Sequence, residues 1–491
     1  MATQSVPHTD FAISTYHDTA EVYRQIDRLI GRPVRRLKKK ALNDYLEHYE
    51  THCQKSKAMI AEAQEYIPGG VQHNLAFSYP FPLVFTKAEG AFLYDLDGNR
   101  YIDFLQGGGP TILGSNPPAV RKQVEKLLRQ TGPVTGLFHE YELKLAKFIA
   151  DRYPSVEMFR MLGSGTESCM AAIRLARVAT GKKHIVKLGG AYHGWSDQLS
   201  YGLRIPGTRS LNSHGIPWSI FQRTHEVFPT DIPALKRRLQ LNQLNGGTAA
   251  VLVEPVGPES GTRPVDKDYN AQVRELCDQF GALLVFDEVV TGFRLGMSGA
   301  QGYFDVKPDL TVFGKAVTGG YPSAGGLGGR RDLMALLAGG IGGKAIKKKV
   351  HVGGTLAANP LSCAAGYFTL MEMERTNAPA VAGRAGDRLT QGLQALIRKY
   401  NLPYVAYNQG SICHLETTGV MLLSVKLSKI HKLFKEIGTR TQVMQEMGAA
   451  YMAEGMVTLA GSRMYTSAAC TDEIIDDALA RFERVFKNVE A

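Results

Sequence analysis

The chain has 491 residues, of which 44% are hydrophobic, and it carries a formal net charge of +11. A chain of this length can bury a large core and is expected to fold as two or three lobes. Its apolar runs fall short of the roughly 18 residues that cross a membrane. Acids at Asp10, Asp18 and Glu21 precede the first basic residue, unlike the start of a signal peptide. We therefore expect a cytoplasmic protein without a membrane partner.

Six cysteines are scattered along the chain without a Cys-x-x-Cys pair. This spacing favours free thiols in a reducing compartment, and we predict no metal site. Much of the positive charge lies in two runs, residues 32–40 and 347–349. Such runs bind nucleic acid in some proteins, but without an accompanying recognition motif they are more typical of solvated faces or of surfaces that attract small anions. We predict no nucleic-acid partner.

Residues 1–66 are predicted to form a helical N-terminal extension that packs on the body of the protein or on a partner subunit. Apolar residues recur at helical spacing over 21–37 and 42–63, with a break near Pro33. Residues 67–115 are expected to form the first part of a small domain. Within them, 85–103 are predicted to form a β-hairpin that turns at residues 97–99.

Residues 116–365 are predicted to form a large domain in which strands alternate with helices, and residues 366–491 the C-terminal part of the small domain. A helix over 270–280 with Gly281 as its cap separates two of the strands. Buried strands joined by helices predict an α/β fold with a mostly parallel sheet, whose ligands collect at the carboxyl ends of the strands. The candidate strands are His184–Leu188, Ala249–Val256, Ala282–Val289 and Leu310–Phe313.

Two charged residues lie at or just beyond the ends of these apolar strands, Asp287 near the end of one and Lys315 after another. A carboxylate that keeps a pyridine nitrogen protonated and a lysine that forms a Schiff base are what pyridoxal phosphate (PLP) requires. Beside a cation, Asp287 would stay charged, and Lys315 would hold the cofactor and then move the proton. Ordinary alternatives are a surface lysine at 315 and pairing of Asp287 with Arg294, and Glu288 competes as the acid.

Three further segments could hold such a cofactor. Ser164-Gly165-Thr166 precedes a helical run, where free amides and a hydroxyl can bind phosphate, although the same residues also make an ordinary N-cap. The ring of Tyr192, followed by His193, could stack on a flat cofactor or be purely structural. Thr355 ends a glycine-rich turn and could add a hydroxyl to the phosphate or simply precede a helix.

Taken in order, these segments resemble the class III PLP-dependent aminotransferases from about Ile67 to the C-terminus, most of all the glutamate-1-semialdehyde 2,1-aminomutases. The resemblance implies the fold-type I architecture: a large domain with a mostly parallel seven-stranded sheet between helices, and a smaller α+β domain built from both termini. It also implies a homodimer with shared active sites.

Residue roles follow from the same resemblance. It implies that Lys315 is the Schiff-base lysine, that Asp287 pairs with the pyridinium nitrogen, and that Tyr192 and Val289 lie on opposite faces of the ring. The phosphate would be bound at Ser164, Gly165 and Thr166, and Thr355 would reach the phosphate of the neighbouring subunit. His193 and Glu254 complete the implied cofactor-binding residues.

The substrate side departs from the aminomutase pattern. Aminomutases carry Ser-Trp-Gly-Pro where this chain has Gly107-Gly108-Gly109-Pro110, and residues 71–77 lack the arginine that holds the substrate carboxylate there. Loss of the indole at Gly108 should enlarge the pocket. Glu259 matches a gating glutamate of ω-amino-acid transaminases, and Arg463 is its candidate partner, although a surface role suits Arg463 equally well.

The predicted activity is a ping-pong aminotransferase that moves an amino group from an amino acid, with a bulky, aromatic or β-amino donor favoured, to a keto acid. Three alternatives stay open: an intramolecular aminomutase, an amino-acid racemase or epimerase, and a binding protein that keeps the fold without catalysis.

Overall fold

The structure is a computed structural model that describes residues 10–210, 213–338, 349–423 and 430–490. Packing divides the chain into two units, residues 1–117 with 380–491 and residues 118–379. The domain boundaries predicted from the sequence remain a prediction. Of the basic run at 347–349, Lys347 and Lys348 lie outside the described residues. No helix in the described ranges is long and apolar enough to cross a membrane.

The second unit contains a seven-stranded sheet in the order β4-β10-β9-β8-β7-β5-β6. Its neighbouring strands are parallel except β10, which is antiparallel to both β4 and β9. The prediction of a mostly parallel seven-stranded sheet is therefore confirmed. The strands are β4 Met158–Leu162, β5 His184–Leu188, β6 Thr224–Val227, β7 Thr248–Val253, β8 Leu283–Asp287, β9 Leu310–Gly314 and β10 Gly325–Gly329.

Helices surround this sheet, and side chains of the central strands are fully buried between them. The helix predicted over 270–280 is confirmed, and Gly281 ends it in the left-handed conformation with φ +58°. The helices of this unit are α4 Pro118–Gln130, α5 Glu140–Ala150, α6 Gly165–Thr180, α7 Trp218–Phe221, α8 Ile232–Gln243, α9 Pro258–Gly261, α10 Tyr269–Phe280, α11 Gly299–Phe304, α12 Arg331–Met334 and α13 Pro360–Arg375.

Strand β10 was not among the predicted strands because four of its five residues are glycine, which has low strand propensity. Close packing explains the glycines. A β-carbon on Gly325 would lie 2.6 Å from the backbone carbon of Ser164, and one on Gly326 would lie 2.5 Å from the ring of Phe159. The missing side chains let this strand approach the segment that begins α6.

The first unit combines helices with two small sheets and contains both ends of the chain. One sheet has the order β1-β2-β3-β13 and the other β11-β12-β14. The elements are α1 Thr19–Ile30, α2 Lys39–His52, α3 Gln54–Tyr66, α14 Ala378–Lys399, α15 Ile430–Ala453, α16 Asp472–Phe486, β1 Phe85–Glu89, β2 Phe92–Asp95, β3 Arg100–Asp103, β11 Val405–Gln409, β12 Ile412–Glu416, β13 Met456–Val457 and β14 Arg463–Tyr465.

The N-terminal extension is helical, as predicted, and packs on its own chain. Leu29 of α1 lies in a buried cluster with Val405 and Tyr407 of β11, and the hydroxyl of Tyr49 in α2 donates to the carbonyl of Ala449 at 3.1 Å. At least one residue of its basic run makes a contact within the chain, since Arg35 Nη1 donates to the carbonyl of Asn401 at 3.1 Å.

Two predicted elements are divided in the structure. The helix predicted over 42–63 is interrupted at Cys53, since Asp97 accepts the amides of Lys55 at 2.7 Å and Ser56 at 3.0 Å and so starts a new helix. The hairpin predicted over 85–103 is a three-stranded meander, because Gly90, with φ +56°, makes an additional turn between β1 and β2. The predicted turn at 97–99 joins β2 to β3.

Candidate active site

The site lies within the second unit, at the carboxyl ends of β5, β7, β8 and β9. These four strands are parallel neighbours, so the residues that follow them meet at one edge of the sheet. Glu254, Asp287 and Lys315 follow β7, end β8 and follow β9, respectively. The structure thus brings together three ionisable residues, the first and last of which, at 254 and 315, are separated by 61 positions in the sequence.

Asp287 is the acid at the centre of this edge and is only 5% exposed. Its Oδ2 accepts a hydrogen bond from His193 Nδ1 at 2.7 Å and from the thiol of Cys169 at 3.6 Å, and its Oδ1 accepts the amide of Val289 at 3.1 Å. Burial lowers the pKa of His193, against the attraction of Asp287, so a neutral imidazole that donates from Nδ1 is favoured. The Nε2 atom of His193 is buried without a hydrogen-bond partner among the described residues.

The neighbouring acid, Glu288, has a structural role. Its carboxylate accepts the hydroxyl of Thr291 at 3.2 Å and the amides of Ala300 at 2.7 Å and Gln301 at 3.3 Å. Burial raises the pKa of Glu288 to about 7. These bonds fix the start of α11. Of the two neighbouring acids, it is therefore Asp287 that is hydrogen-bonded to His193.

Glu254 connects two loops beneath the site. Its carboxylate accepts the amides of Tyr192 and Glu259, each at 3.0 Å, and that of Ser260 at 2.8 Å. Burial raises the pKa of Glu254 to about 8, and repulsion from Asp287 and Glu259 adds to the rise. Glu254 is therefore a positioning group for the segments that carry Tyr192 and Glu259.

Lys315 directly follows Gly314, the last residue of β9, and is half-buried. Its backbone has φ +45°, a conformation that is costly for residues other than glycine and that clusters at functional sites. The side chain of Val289 lies close by: a β-carbon on Gly314 would be 2.9 Å from Val289 Cγ1, and one on Gly165 would be 2.7 Å from Val289 Cγ2. Val289 therefore links the lysine segment to the start of α6.

The start of α6 has both features that the sequence suggested. Ser164 is its N-cap and accepts the amide of Glu167 at 3.2 Å, while the first-turn amides of a helix have no acceptor within the helix. The Tyr192-His193-Gly194 loop rests against this turn, because a β-carbon on Gly194 would lie 2.7 Å from the Cα of Thr166. An anion could bind here with Tyr192, 48% exposed, on the adjacent loop.

Thr355 is exposed and lines a cavity of about 630 Å³ together with Leu137, Phe138 and other residues of the second unit. The segment that carries it contacts the start of α6, since a β-carbon on Gly354 would lie 3.5 Å from Glu167 Oε2. Leu137 and Phe138 are 80% and 75% exposed. Two exposed apolar side chains therefore line the same cavity as Thr355.

The three substrate candidates divide between the units. Glu259 lies in the second unit, at φ +54° beside Glu254. Gly108 and Arg463 lie in the first, Gly108 in a tight turn with φ +88° and Arg463 at the start of β14, in register with His414 of β12. The pairing of Glu259 with Arg463 stays a prediction.

Two buried residues of the site were missed in the sequence. Cys169 lies one turn after Thr166 in α6 and donates to Asp287, which no local pattern indicates. The Cys169, His193 and Asp287 side-chain atoms lie within 4.8 Å of one another, and hydrogen bonding to Asp287 accounts for this grouping. Lys187 lies fully buried inside β5. A lysine in an otherwise apolar strand was a signal that could have been used.

The sequence matches the family described as aminotransferase class-III over residues 76–486. A relative from Exiguobacterium sp., named glutamate-1-semialdehyde 2,1-aminomutase 2, is 35% identical over 447 residues, which cover 89% of this chain and 98% of the relative.

Two solved structures share the fold across most of both chains. The first is an omega-transaminase from Sphaerobacter thermophilus, which is 24% identical with a TM-score of 0.78 and covers 90% of this chain and 99% of its own. The second is a β-phenylalanine aminotransferase from Variovorax paradoxus, which is 27% identical with a TM-score of 0.77 and covers 91% and 96%, respectively.

Proposed function

Because this chain belongs to the class III aminotransferases, we propose that it moves an amino group from an amino acid to a keto acid in a ping-pong cycle. It is a PLP-dependent enzyme of fold-type I, as its motifs predicted. The donor, the acceptor and the roles of individual residues are the content of the proposal. The grouping of Asp287, His193, Val289 and Lys315 at one sheet edge carries it.

The residues at this edge fit the cofactor chemically. Asp287, held by donors on both oxygens, suits a cationic pyridinium nitrogen. The first turn of α6 offers amides and the hydroxyl of Thr166 to a phosphate. Gly165 and Gly314 let the Val289 side chain pack closely between the two segments, since a β-carbon on either glycine would overlap its methyl groups. The unpartnered Nε2 of His193 marks a buried polar position beside the same carboxylate.

When bound, PLP supplies an aldehyde that condenses with amines and a protonated ring that withdraws electrons. With PLP bound, Lys315 would be the amine that holds the cofactor and the base that takes the proton from the amino-bearing carbon of the substrate. Asp287, whose carboxylate is oriented by His193 and Cys169, would keep the proton on the ring nitrogen. Tyr192 and Val289 would pack against the ring.

The substrate side favours a bulky or β-amino donor. Gly107, Gly108 and Gly109 all have positive φ, and Gly108 stands at the sequence position where aminomutases carry an indole, so the chain lacks that large side chain. The similarity to a β-phenylalanine aminotransferase agrees with the loss of this side chain. The second candidate is an intramolecular aminomutase, which the 35% identity to an enzyme of that name favours.

The decisive experiment is a half-reaction followed by absorbance. Enzyme in the PLP form is mixed with single α-, β- or ω-amino acids without an acceptor. Stoichiometric conversion of the cofactor to its amino form by one class supports a transaminase and identifies the donor. If no donor converts the cofactor but a single substrate is isomerised without an acceptor, the aminomutase or epimerase alternative replaces the proposal.

Replacement of Lys315 tests the assignment of the base. Lys315→Ala should abolish turnover while the protein still binds some PLP. Lys307→Ala is the matched control, because Lys307 is exposed near the opposite end of the same strand and should be silent. Full activity of Lys315→Ala would refute the assignment.

We also propose that the active unit is a homodimer in which Thr355 contributes to the partner's phosphate site. Leu137 and Phe138, which line the same cavity as Thr355, are exposed apolar side chains that a partner subunit would bury. Lys315→Ala and Thr355→Asp, each inactive alone, should complement when unfolded and refolded together, because half of the sites in a mixed dimer are intact. Recovery of about a quarter of the wild-type activity is expected, and no recovery would contradict shared sites.

A further inference from the structure

Lys187 is a fully buried lysine beside the proposed cofactor site. It lies in β5, where it is 0% exposed among apolar neighbours. Its register partner on the adjacent parallel strand β6 is Glu226. Two opposite charges therefore lie side by side within the sheet, and removing such groups from water is unfavourable unless they find partners.

The ammonium group of Lys187 is fully engaged by one loop. It donates to the carbonyls of Ala191 at 2.8 Å, Tyr201 at 2.9 Å and Leu199 at 3.3 Å. An ammonium has three N–H donors, so these bonds use all of them. The three carbonyls flank the segment that contains Tyr192 and His193, and Lys187 therefore joins the two ends of that segment.

Glu226 supports the same loop from the neighbouring strand. Its Oε2 accepts the amide of Gly207 at 3.3 Å, and a β-carbon on Gly202 would lie 2.8 Å from its Cδ. Gly189 is equally close, since a β-carbon there would lie 3.1 Å from Glu226 Oε2. The chain from 189 to 207 thus folds around the carboxylate as well as around the ammonium group.

The pKa shifts of Lys187 and Glu226 show that each group stabilises the charge of the other against burial. Burial lowers the pKa of Lys187 to about 8, against attraction by Glu226, Glu254 and Glu259. Burial raises the pKa of Glu226, against the Gly207 amide and the charge of Lys187. Lys187 is out of contact with water and directs every donor at one loop, which is the arrangement expected of a residue that positions that loop.

We propose that Lys187, with Glu226 as its counter-ion, is a positioning residue that holds the Tyr192–His193 loop in the geometry that binds the cofactor. The inference rests on the proposed placement of Tyr192 and His193 at PLP. Lys187 touches neither cofactor nor substrate, and acts through the backbone of 191–201.

Lys182 provides a matched control. Its Nζ also donates to backbone carbonyls, those of Phe280 and Gly281, each at 2.6 Å. It lies just before β5, at the opposite end of the same strand, and belongs to the same unit. Lys182→Met therefore removes the same kind of bond from a place that does not hold the loop.

The experiment compares Lys187→Met with Lys182→Met in the full chain. Three properties are measured: the dissociation constant of PLP without substrate, the induced circular dichroism of bound PLP, and amide hydrogen exchange over 190–203. Lys187→Met should weaken PLP binding by about tenfold or more, alter the dichroism and speed exchange in the loop. Lys182→Met should leave all three close to wild type.

Equal PLP affinity of the two variants, or unchanged exchange in the loop, would overturn the proposal. If Lys187→Met does not fold, Glu226→Gln keeps the shape but removes the counter-charge, and it should shift affinity and exchange in the same direction; no shift would also overturn it. Because these measurements need no substrate, a failed half-reaction with every donor would refute the proposed transaminase function separately.

Discussion

The contact between the Tyr192-His193-Gly194 loop and helix α6 can be tested by adding one methyl group at Gly194. Gly194 has φ +90°, and a β-carbon there would lie 2.7 Å from both the Cα and the Cβ of Thr166. Since the Cα of Thr166 is backbone, the overlap cannot be relieved by a change of rotamer. Gly194→Ala must therefore move the loop or the first turn of α6.

The expected loss of stability has two parts. Left-handed backbone in alanine is unfavourable by about 1–2 kcal/mol, and forcing an extra carbon into a packed contact adds about 1–3 kcal/mol. Gly181→Ala isolates the first part, because Gly181 has φ +68° and nothing within 4 Å of the added carbon. The difference between the two variants, about 1–3 kcal/mol, then measures the close approach itself.

Urea unfolding of the cofactor-free protein and titration with PLP are the assays. Gly194→Ala should be less stable than Gly181→Ala and should bind PLP at least about tenfold more weakly, because the loop and the phosphate site are displaced relative to each other. Gly181→Ala should keep wild-type affinity. Equal stabilities together with unchanged PLP affinity for Gly194→Ala would show that this contact does not shape the site.

Three further changes have defined outcomes. Asp287→Ala should lower kcat by about a hundredfold or more, and a loss below tenfold in steady-state assays would implicate Glu288 instead. Glu254 binds a proton more tightly in the folded state, where burial raises its pKa to about 8; stability should therefore fall as pH rises from about 5 to about 8, and urea unfolding of Glu254→Gln should show a flatter pH dependence. Leu29→Ala, at a side chain 3% exposed in the cluster of α1 with β11, should reduce the unfolding free energy by about 2–5 kcal/mol. A loss below about 1 kcal/mol would mean that the extension adds little to the first unit.

Much of the candidate site could be predicted because its residues follow local patterns. Asp287 and Lys315 each come at the end of an apolar strand, and parallel strands place such ends at one edge of a sheet. Gly165 and Thr166 open a helix, and the first turn of a helix is suited to binding an anion. In each case the local sequence pattern determines where the residue lies, at the end of a strand or at the start of a helix. The chemistry of these residues can therefore be inferred without knowledge of the packing.

Contacts between distant segments were decided only by the tertiary structure. The sequence favoured Asp287 but left Glu288 as a competing acid, and the amides of α11 that engage Glu288 distinguish the two. Likewise, Asp97 divides the predicted helix over 42–63 by binding amides 41 and 42 residues away.

The same holds for residues whose role depends on what covers them. No local pattern indicates Cys169, and the apolar strand around Lys187 indicates only that this lysine is buried. Their partners, Asp287 and the carbonyls of 191–201, are known only once the strands and loops are assembled. Hydrophobic periodicity determines which face of an element is buried. It does not specify which buried polar group meets which donor, because each such pair depends on the spatial order of strands that are far apart in the chain.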